Sequence, residues 1–565
     1  MRAKGHLPLI LLLIAVTFFA YRGTLNNSFV YDDYALVVEN GAIKNLDLRR
    51  IVSYFTDRNT TAPSDSFSKN MWRPLVTTSF AVDYKLWGLN PLPYHAETVL
   101  WHIINVILVY IMTMLILDGR LASFCGALIF ALHPAQTENV AWVAGRTNLM
   151  FFAFFIASLI FYIRSRKIKG VPLSYGLSLA FFVLSLLSKE MAVTLPFIII
   201  LYDRCFGARR AGIKYYVPFF LVAGFYLFTR FSVLGSITQG SWWGGTVYNN
   251  IIIAVKAVAE YVRLLLLPVN LKIAYFINTA FSLREIAYIV LAALAVVLSA
   301  LVLGRVSNKR TIIFYLSWFF ITLVPVCNIV PFWSVMSERF LYLPSVGFAS
   351  LCGILFAALI GAPARRRSLR IASAAVFTAV MIFYCVSTIT RSADWRNEIA
   401  LFSKDVMRSR QNPMAHYNMG LVYAKTASRL SKFEGLSRDY YNKAEEEFKE
   451  TIRLETGSYL AYVRLADIYN ETGRYGLAIQ NFKKAKALRD GSGIYGLLDS
   501  QARYNDLIQV CRKRLSVLPD DVNTYVYLGK AYYMKNEYQK AKRAWLKAAG
   551  LSGSNPDFVK VINSL

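Results

Sequence analysis

Two adjacent carboxylates, Asp32 and Asp33, stand in FVYDDYALVVEN (residues 29–40), directly after the first apolar run of the chain. A carboxylate held beside a hydroxyl serves as a general base, and aspartates also cap turns and helices. Adjacent residues of an extended segment point to opposite sides, so both need not enter one pocket. A second stretch, HPAQTENVAWVAGRTN (133–148), carries His133, Glu138, Arg146 and Asn148. An arginine at head-group depth pairs with phosphate through two parallel hydrogen bonds, or it simply snorkels to the interface. His133, followed by proline, is also a helix stop, and five histidines in all argue against a multi-histidine metal site. Lys189 and Glu190 lie between two apolar runs with almost no loop, and Glu338, Arg339 and Tyr342 open another run. Ionisable residues at a membrane edge are costly unless paired or functional. These are therefore structural ion pairs or cations that grip a lipid phosphate, the second reading being preferred for Arg339. No nucleotide-binding glycine loop, catalytic serine motif or zinc spacing accompanies them.

The elements that must position these groups are membrane helices. The chain has 565 residues, of which 56% are hydrophobic and 15% aromatic, too apolar for a soluble protein of this size. A formal net charge of +29 comes in short clusters between apolar runs. That pattern fits loops facing an anionic leaflet and argues against nucleic acid as a partner. Runs long enough to cross a bilayer are expected near 7–23, 97–117, 121–133, 149–164, 173–188, 191–204, 215–234, 285–304, 311–331, 344–361 and 371–390. Basic loops at 164–170, 204–214, 304–310 and 362–370 orient them with the N-terminus cytoplasmic and the C-terminal tail outside. NNIIIAVKAVAEYVRLLLLPVN (249–270) is expected to be an interfacial or re-entrant helix, because Lys256, Glu260 and Arg263 interrupt it. With eleven spans, the loop 24–96 and the segments holding His133–Asn148, Lys189–Glu190, SWWGGT (241–246) and Glu338–Tyr342 all face the external side. The N-terminal run reads as a retained span, without a small-residue cleavage site.

From about residue 391 the chain turns polar. Tyr462, Leu465, Ala466, Tyr469, Ala478, Phe482 and Ala485 follow the tetratricopeptide spacing, as do Tyr525, Leu528, Gly529, Tyr532, Ala541, Trp545 and Ala548. Segment 413–456 fits if its turn carries an insertion, and 488–521 is a degenerate copy. Such arrays form a concave surface for a protein or peptide, or act as a spacer. Domains are therefore expected over 1–390 and 391–565.

YDD, RPL (73–75), HPAQTENVAWVAGRTNL, SKE (188–190) and SERFLYLPSVGF, followed by these repeats, resemble the transmembrane-and-tetratricopeptide protein O-mannosyltransferases and their prokaryotic relatives. The resemblance covers nearly the whole chain. It implies an α-helical GT-C fold and inverting transfer of a sugar, mannose, from a polyprenyl- or dolichyl-phosphate donor to Ser/Thr hydroxyls, without a metal or other cofactor. Its acidic motif in the first external loop corresponds to Asp32 and Asp33. A hydroxyl needs a base, whereas phosphate leaves once its charge is stabilised. Asp32 is then the expected base, and Asp33 orients it or binds acceptor. Arg146, Lys189 and Arg339 are phosphate-clamp candidates, with Arg73, His133, Glu138, Glu190, Glu338 and Tyr342 in support. The expected setting is a prokaryotic cell membrane, with the repeats holding a protein acceptor. Transfer to a glycolipid or polysaccharide, a lipid-linked-sugar transporter and a non-enzymatic scaffold are the competing classes.

Overall fold

The computed structural model describes residues 5–60, 71–167, 172–207, 212–235, 242, 245–328, 334–363, 367–491, 504–505, 507–509, 511–512, 514–516, 518–552 and 562. Each of the eleven apolar runs falls on a helix: α1 (Leu7–Tyr21), α4 (Pro91–Leu117), α5 (Arg120–Leu132), α7 (Arg146–Lys167), α8 (Pro172–Ser188), α9 (Leu195–Phe206), α10 (Val217–Leu234), α12 (Leu283–Leu303), α13 (Lys309–Leu323), α14 (Ser345–Ile360) and α15 (Arg367–Asp394). Among the described residues seven helices, α1, α4, α7, α10, α12, α13 and α15, are long and apolar enough to cross a membrane, and α5, α8 and α14 are shorter apolar ones. The protein is a helical membrane protein. α9 has twelve residues and carries Asp203 and Arg204 in its last turns.

Helix boundaries follow local chemistry. The span expected from residue 97 starts six residues earlier, because Asn90 caps the Leu92 amide and Pro91 occupies the first helical position. The polar loop before it is itself partly helical, with α2 (Leu48–Thr56) capped by Asp47 and α3 (Pro74–Trp87) opened by a proline. The segment expected to be interfacial forms α11 (Val247–Leu266), which is not among the seven apolar helices. Between α5 and α7 a short helix, α6 (Thr137–Ala141), and two 3-10 turns are almost wholly buried. Gly145 belongs there: a Cβ at this position would meet the Asn139 carbonyl oxygen at 2.3 Å.

The chain divides into two compact units, Met1–Leu401 and Phe402–Leu565. The expected boundary at 390/391 lies within α15. The second unit is a helix-turn-helix array: Pro413–Arg429 with Glu434–Leu454, Tyr459–Glu471 with Tyr475–Gly491, and Val522–Met534 with Tyr538–Leu551. Small residues admit the aromatic of the paired helix, Gly420 against the Phe448 ring and Gly529 against Trp545, whose indole N–H also donates to the Val526 carbonyl at 2.9 Å. The insertion expected in the first repeat is not in its turn, which is 430–433. Its two helices are longer, 17 and 21 residues against 13 and 17 in the next repeat. About half of the degenerate copy at 488–521 lies outside the described residues, as do half of SWWGGT and parts of three basic loops.

Candidate functional site

The YDD corner is a turn, not an extended strand. Tyr31 has φ +55°, in the left-handed region that a bulky residue adopts only when its surroundings hold it there. Its ring lies 5.7 Å from that of Trp142, whose indole N–H donates to the Val30 carbonyl at 3.3 Å. Asp33 then turns inward and is fully buried. Its carboxylate accepts the backbone N–H groups of Val30 at 3.0 Å and Ala144 at 2.8 Å. Burial pushes this carboxyl up to about 8 against the pull of those two amides. Asp33 therefore ties the corner to the turn before α7.

Asp32 points the other way. It lines a pocket of about 420 Å³ with Leu36, Met71, Arg73, Trp142, Ala144, Thr147, Asn148, Lys189, Arg339 and Phe340. Among the described residues its carboxylate makes no hydrogen bond or ion pair. Burial raises it to about 6, while Arg339 and Arg73 pull it down. A half-buried, unpaired carboxylate with that affinity for protons has the properties of a general base near neutrality.

The cationic wall is built from three separate segments. Arg339 sits in a 3-10 turn (Glu338–Leu341) ahead of α14. Its guanidinium Nη1 donates to Glu138 Oε1 at 2.5 Å, and its backbone N–H to Glu138 Oε2 at 2.8 Å. Its Nε and Nη2 have no hydrogen-bond partner among the described residues, and the ring centres of Phe340 and Trp142 lie 5.1 and 5.6 Å away. Lys189 follows α8, donates to the Asn148 side-chain oxygen, and has Phe340 at 5.3 Å and Phe151 at 5.7 Å. Burial, helped by Arg73 and Arg339, drives its ammonium well below the ordinary lysine range. Arg73 precedes α3 and donates to Glu190 at 3.1 Å. Burial alone would raise Glu190, but Arg73, Arg230 and Lys189 outweigh it and hold the carboxyl well below its ordinary value.

The remaining candidates are not brought to this pocket. Arg146 is fully buried, with Nη1 2.5 Å from Asp83 and Nη2 3.0 Å from Glu97, and it also donates to the Tyr94 carbonyl. Its Nε has no hydrogen-bond partner but is buried with the rest of the side chain, so among the described residues the guanidinium opens to no pocket. Glu338 is fully buried, accepts Tyr275 O–H at 2.7 Å and the Lys272 backbone N–H, and faces Arg391 at 3.5 Å. Burial raises it to about 7 although Arg391 pulls down. Tyr342 O–H meets His102 Nδ1 at 2.7 Å and Asn105 at 3.1 Å inside the helix bundle. His133 holds the Leu265 carbonyl at 3.1 Å and the Ala135 amide at 3.3 Å, as a helix-stop residue does. Among the described residues no group of three or more His, Cys, Asp and Glu side chains could hold a metal ion.

Sequence reasoning missed Asp83, Glu97, Arg230 and the flanking aromatics Trp142 and Phe340. Arg230 carried a signal, as a lone charge inside an apolar run. Asp83, in the loop 24–96, and Glu97, the first residue of the 97–117 run, carried none.

No family model matches the chain. Among curated proteins it is 27% identical to protein O-mannosyl-transferase F38B6.6 of Caenorhabditis elegans, over 79% of this chain and 62% of that protein. It is 23% identical to human protein O-mannosyl-transferase TMTC3, over 98% and 65%, and 25% identical to human TMTC4, over 72% and 62%. The resemblance to the transmembrane-and-tetratricopeptide O-mannosyltransferases holds along most of the chain, which spans less than two thirds of the length of these relatives. A solved structure of the human IFIT1 dimer with PPP-AAAA covers 75% of the chain at 11% identity with a TM-score of 0.18, too low a superposition to bear on function.

Proposed function

We propose that the chain is a membrane glycosyltransferase that moves a sugar, mannose, from a polyprenyl-phosphate donor to Ser/Thr hydroxyls of extracytoplasmic protein. The observation that carries this reading is the pocket in which an unpaired Asp32 faces Arg73, Lys189 and Arg339. The similarity to proteins named O-mannosyl-transferases supports the choice of sugar and of protein acceptor. In this reading the acceptor oxygen attacks the anomeric carbon while Asp32 takes its proton. The bond from that carbon to the phosphate oxygen breaks, and the electron pair leaves with the phosphate. One displacement of this kind inverts the anomeric configuration.

The leaving group needs charge stabilisation, and fixed cations beside it act on the charge that develops as the bond breaks. Arg339 has two guanidinium nitrogens free for the phosphate. Lys189 has its proton affinity depressed by burial and by two arginines. A bound phosphate reverses that balance and favours the ammonium form. Asp33 holds the corner that aims Asp32. The repeats are proposed to hold the protein acceptor on the external side of a prokaryotic membrane, with the N-terminus in the cytoplasm.

The test is transfer from radiolabelled polyprenyl-phosphate mannose to a Ser/Thr peptide by the purified chain in nanodiscs, with donor binding measured alongside. Asp32→Asn keeps shape but takes no proton, so transfer falls about 100-fold or more while donor binding survives. An Asp32→Asn protein with near-normal turnover would remove Asp32 as base. Label recovered in glycolipid or polysaccharide alone would move the acceptor to that class.

A further inference from the structure

α12 is the most lipid-exposed of the seven apolar helices, with 6% of its span buried. Between it and α11, α13 and α14 runs a cleft of about 1120 Å³, walled by Val262, Leu265, Ala295, Val302, Phe319 and Leu355 among other apolar groups. Three of its four walls, α12, α13 and α14, are apolar helices of the membrane unit, which sets the cleft at hydrocarbon depth. The part of α12 that lines it, 295–303, rises about 12 Å at 1.5 Å per residue.

α11, α12 and the loop between them line a second, polar pocket, whose last α12 residue, Ile289, precedes the cleft's first, Ala295, by about 9 Å at 1.5 Å per residue. It is lined by Lys256, Glu260, Lys272, Tyr275, Glu285 and Tyr288 among others. Its charges are unequally committed. Lys256 donates to Glu285 at 3.0 Å and to the Asn278 and Ala280 carbonyls, and Glu260 is held by Arg263 at 2.6 and 2.8 Å. Lys272 Nζ lies 5.9 Å from the Tyr275 ring centre and, among the described residues, is paired with no carboxylate. One uncommitted cation remains for an anion. Exposed Phe276 and Tyr288 flank it, as aromatic residues do at head-group level.

On both helices the polar residues come first and the apolar ones follow: 256–260 then 262–266 on α11, 285–289 then 295–303 on α12. A charged head end, an aromatic collar and an apolar trough about 9–21 Å further along α12 have the outline of a lipid whose acyl-chain end lies in the trough. We infer that the α11–α12 cleft binds a bilayer phospholipid, its phosphate at Lys272 and one acyl chain along α12. The site is separate from the Asp32 pocket and does not depend on the activity proposed there. The lipid fills the gap behind α12 and holds that helix against the bundle.

The full chain in nanodiscs of phosphatidylglycerol carrying a photoreactive group at the acyl-chain end tests this, with labelled segments mapped by mass spectrometry. Label should concentrate in 295–303 and 348–355 and fall in Ala295→Trp, which narrows the trough. Retention of phosphatidylglycerol through detergent delipidation, read by native mass spectrometry, should fall about tenfold or more in Lys272→Glu and persist in Lys272→Arg. Label spread evenly over the outer faces of α1, α10 and α12 would overturn the site, leaving only solvating lipid. Displacement of the label by unglycosylated polyprenyl phosphate, but not by excess phosphatidylglycerol, would also overturn it and give the cleft to the sugar donor. Should Ala295→Trp fail to fold, the label map of the unaltered chain and the Lys272 pair still decide.

Discussion

Around Arg146 and around Arg339 the chain meets the same problem, a guanidinium withdrawn from water, and resolves it differently. Arg146 is enclosed by two carboxylates and a carbonyl that take both terminal nitrogens, and its Nε, though unpartnered, is buried. Arg339 is anchored through one nitrogen and its own backbone to a single carboxylate, and the remainder faces a pocket. Burial of an arginine therefore does not distinguish a fastener from a ligand grip. The number of its five donors that the chain itself uses does.

The contrast breaks first at Arg146. Arg146→Ala leaves Asp83 and Glu97 without their cation, a loss of about 3–5 kcal/mol for a broken buried pair. Thermal unfolding of the purified protein should show it, and a variant as stable as the parent would place Arg146 among the ligand-facing arginines.

Asp32 supplies the next effect, opposite in sign. Its carboxyl rises from an ordinary 3.8 to about 6 on folding, mainly through burial. The folded state then binds the proton more tightly than the unfolded one, so stability is lost as pH rises through that window. Asp32→Asn should accordingly be more stable than the parent at pH 8, by up to about 3 kcal/mol and less to the extent that the open pocket screens the charge. It should show no gain at pH 4. Transfer by the unaltered protein should fall as pH drops through about 6, because the base becomes protonated. A gain in stability combined with a loss of turnover separates a base from a structural aspartate.

Arg339→Lys sharpens the comparison from the other side. It keeps a charge beside Glu138 but loses the planar fork, so unfolding should barely change while donor affinity falls about tenfold. Equal losses in both would make Arg339 a second Arg146. The smallest effect is expected in the repeats. There Lys443 and Asp439 pair at 2.7 Å, both exposed, on one helix, and Lys443→Met should leave thermal unfolding essentially unchanged.

Much of this arrangement is written in the sequence, for physical reasons that also explain what is not. A membrane span needs only a run of apolar residues, so all eleven runs mark helices. A tetratricopeptide pair needs a small residue opposite an aromatic, so Gly529 and Trp545 were legible as partners at fixed spacing. Pairing of charges has no such local rule. Asp83 lies 63 residues from Arg146, and Glu138 lies 201 from Arg339, so nothing local told which arginine would be enclosed. The preference for Asp32 over Asp33 as base rests on the resemblance, since the turn at Tyr31 (φ +55°) that sets the two carboxylates apart has no side-chain pattern to announce it.

The clasp of Arg146 by Asp83 and Glu97 also bears on the order of biogenesis. A chain emerges from the ribosome beginning at its N-terminus, so both carboxylates are made before the guanidinium that balances them. Until the first turn of α7 emerges, α3 and the head of α4 carry two acidic groups with no counter-charge, and they stay hydrated. Arrival of Arg146 lets the three helices close together. A fastener at that place makes completion of α7 the event that commits α3 and the head of α4 to their final arrangement.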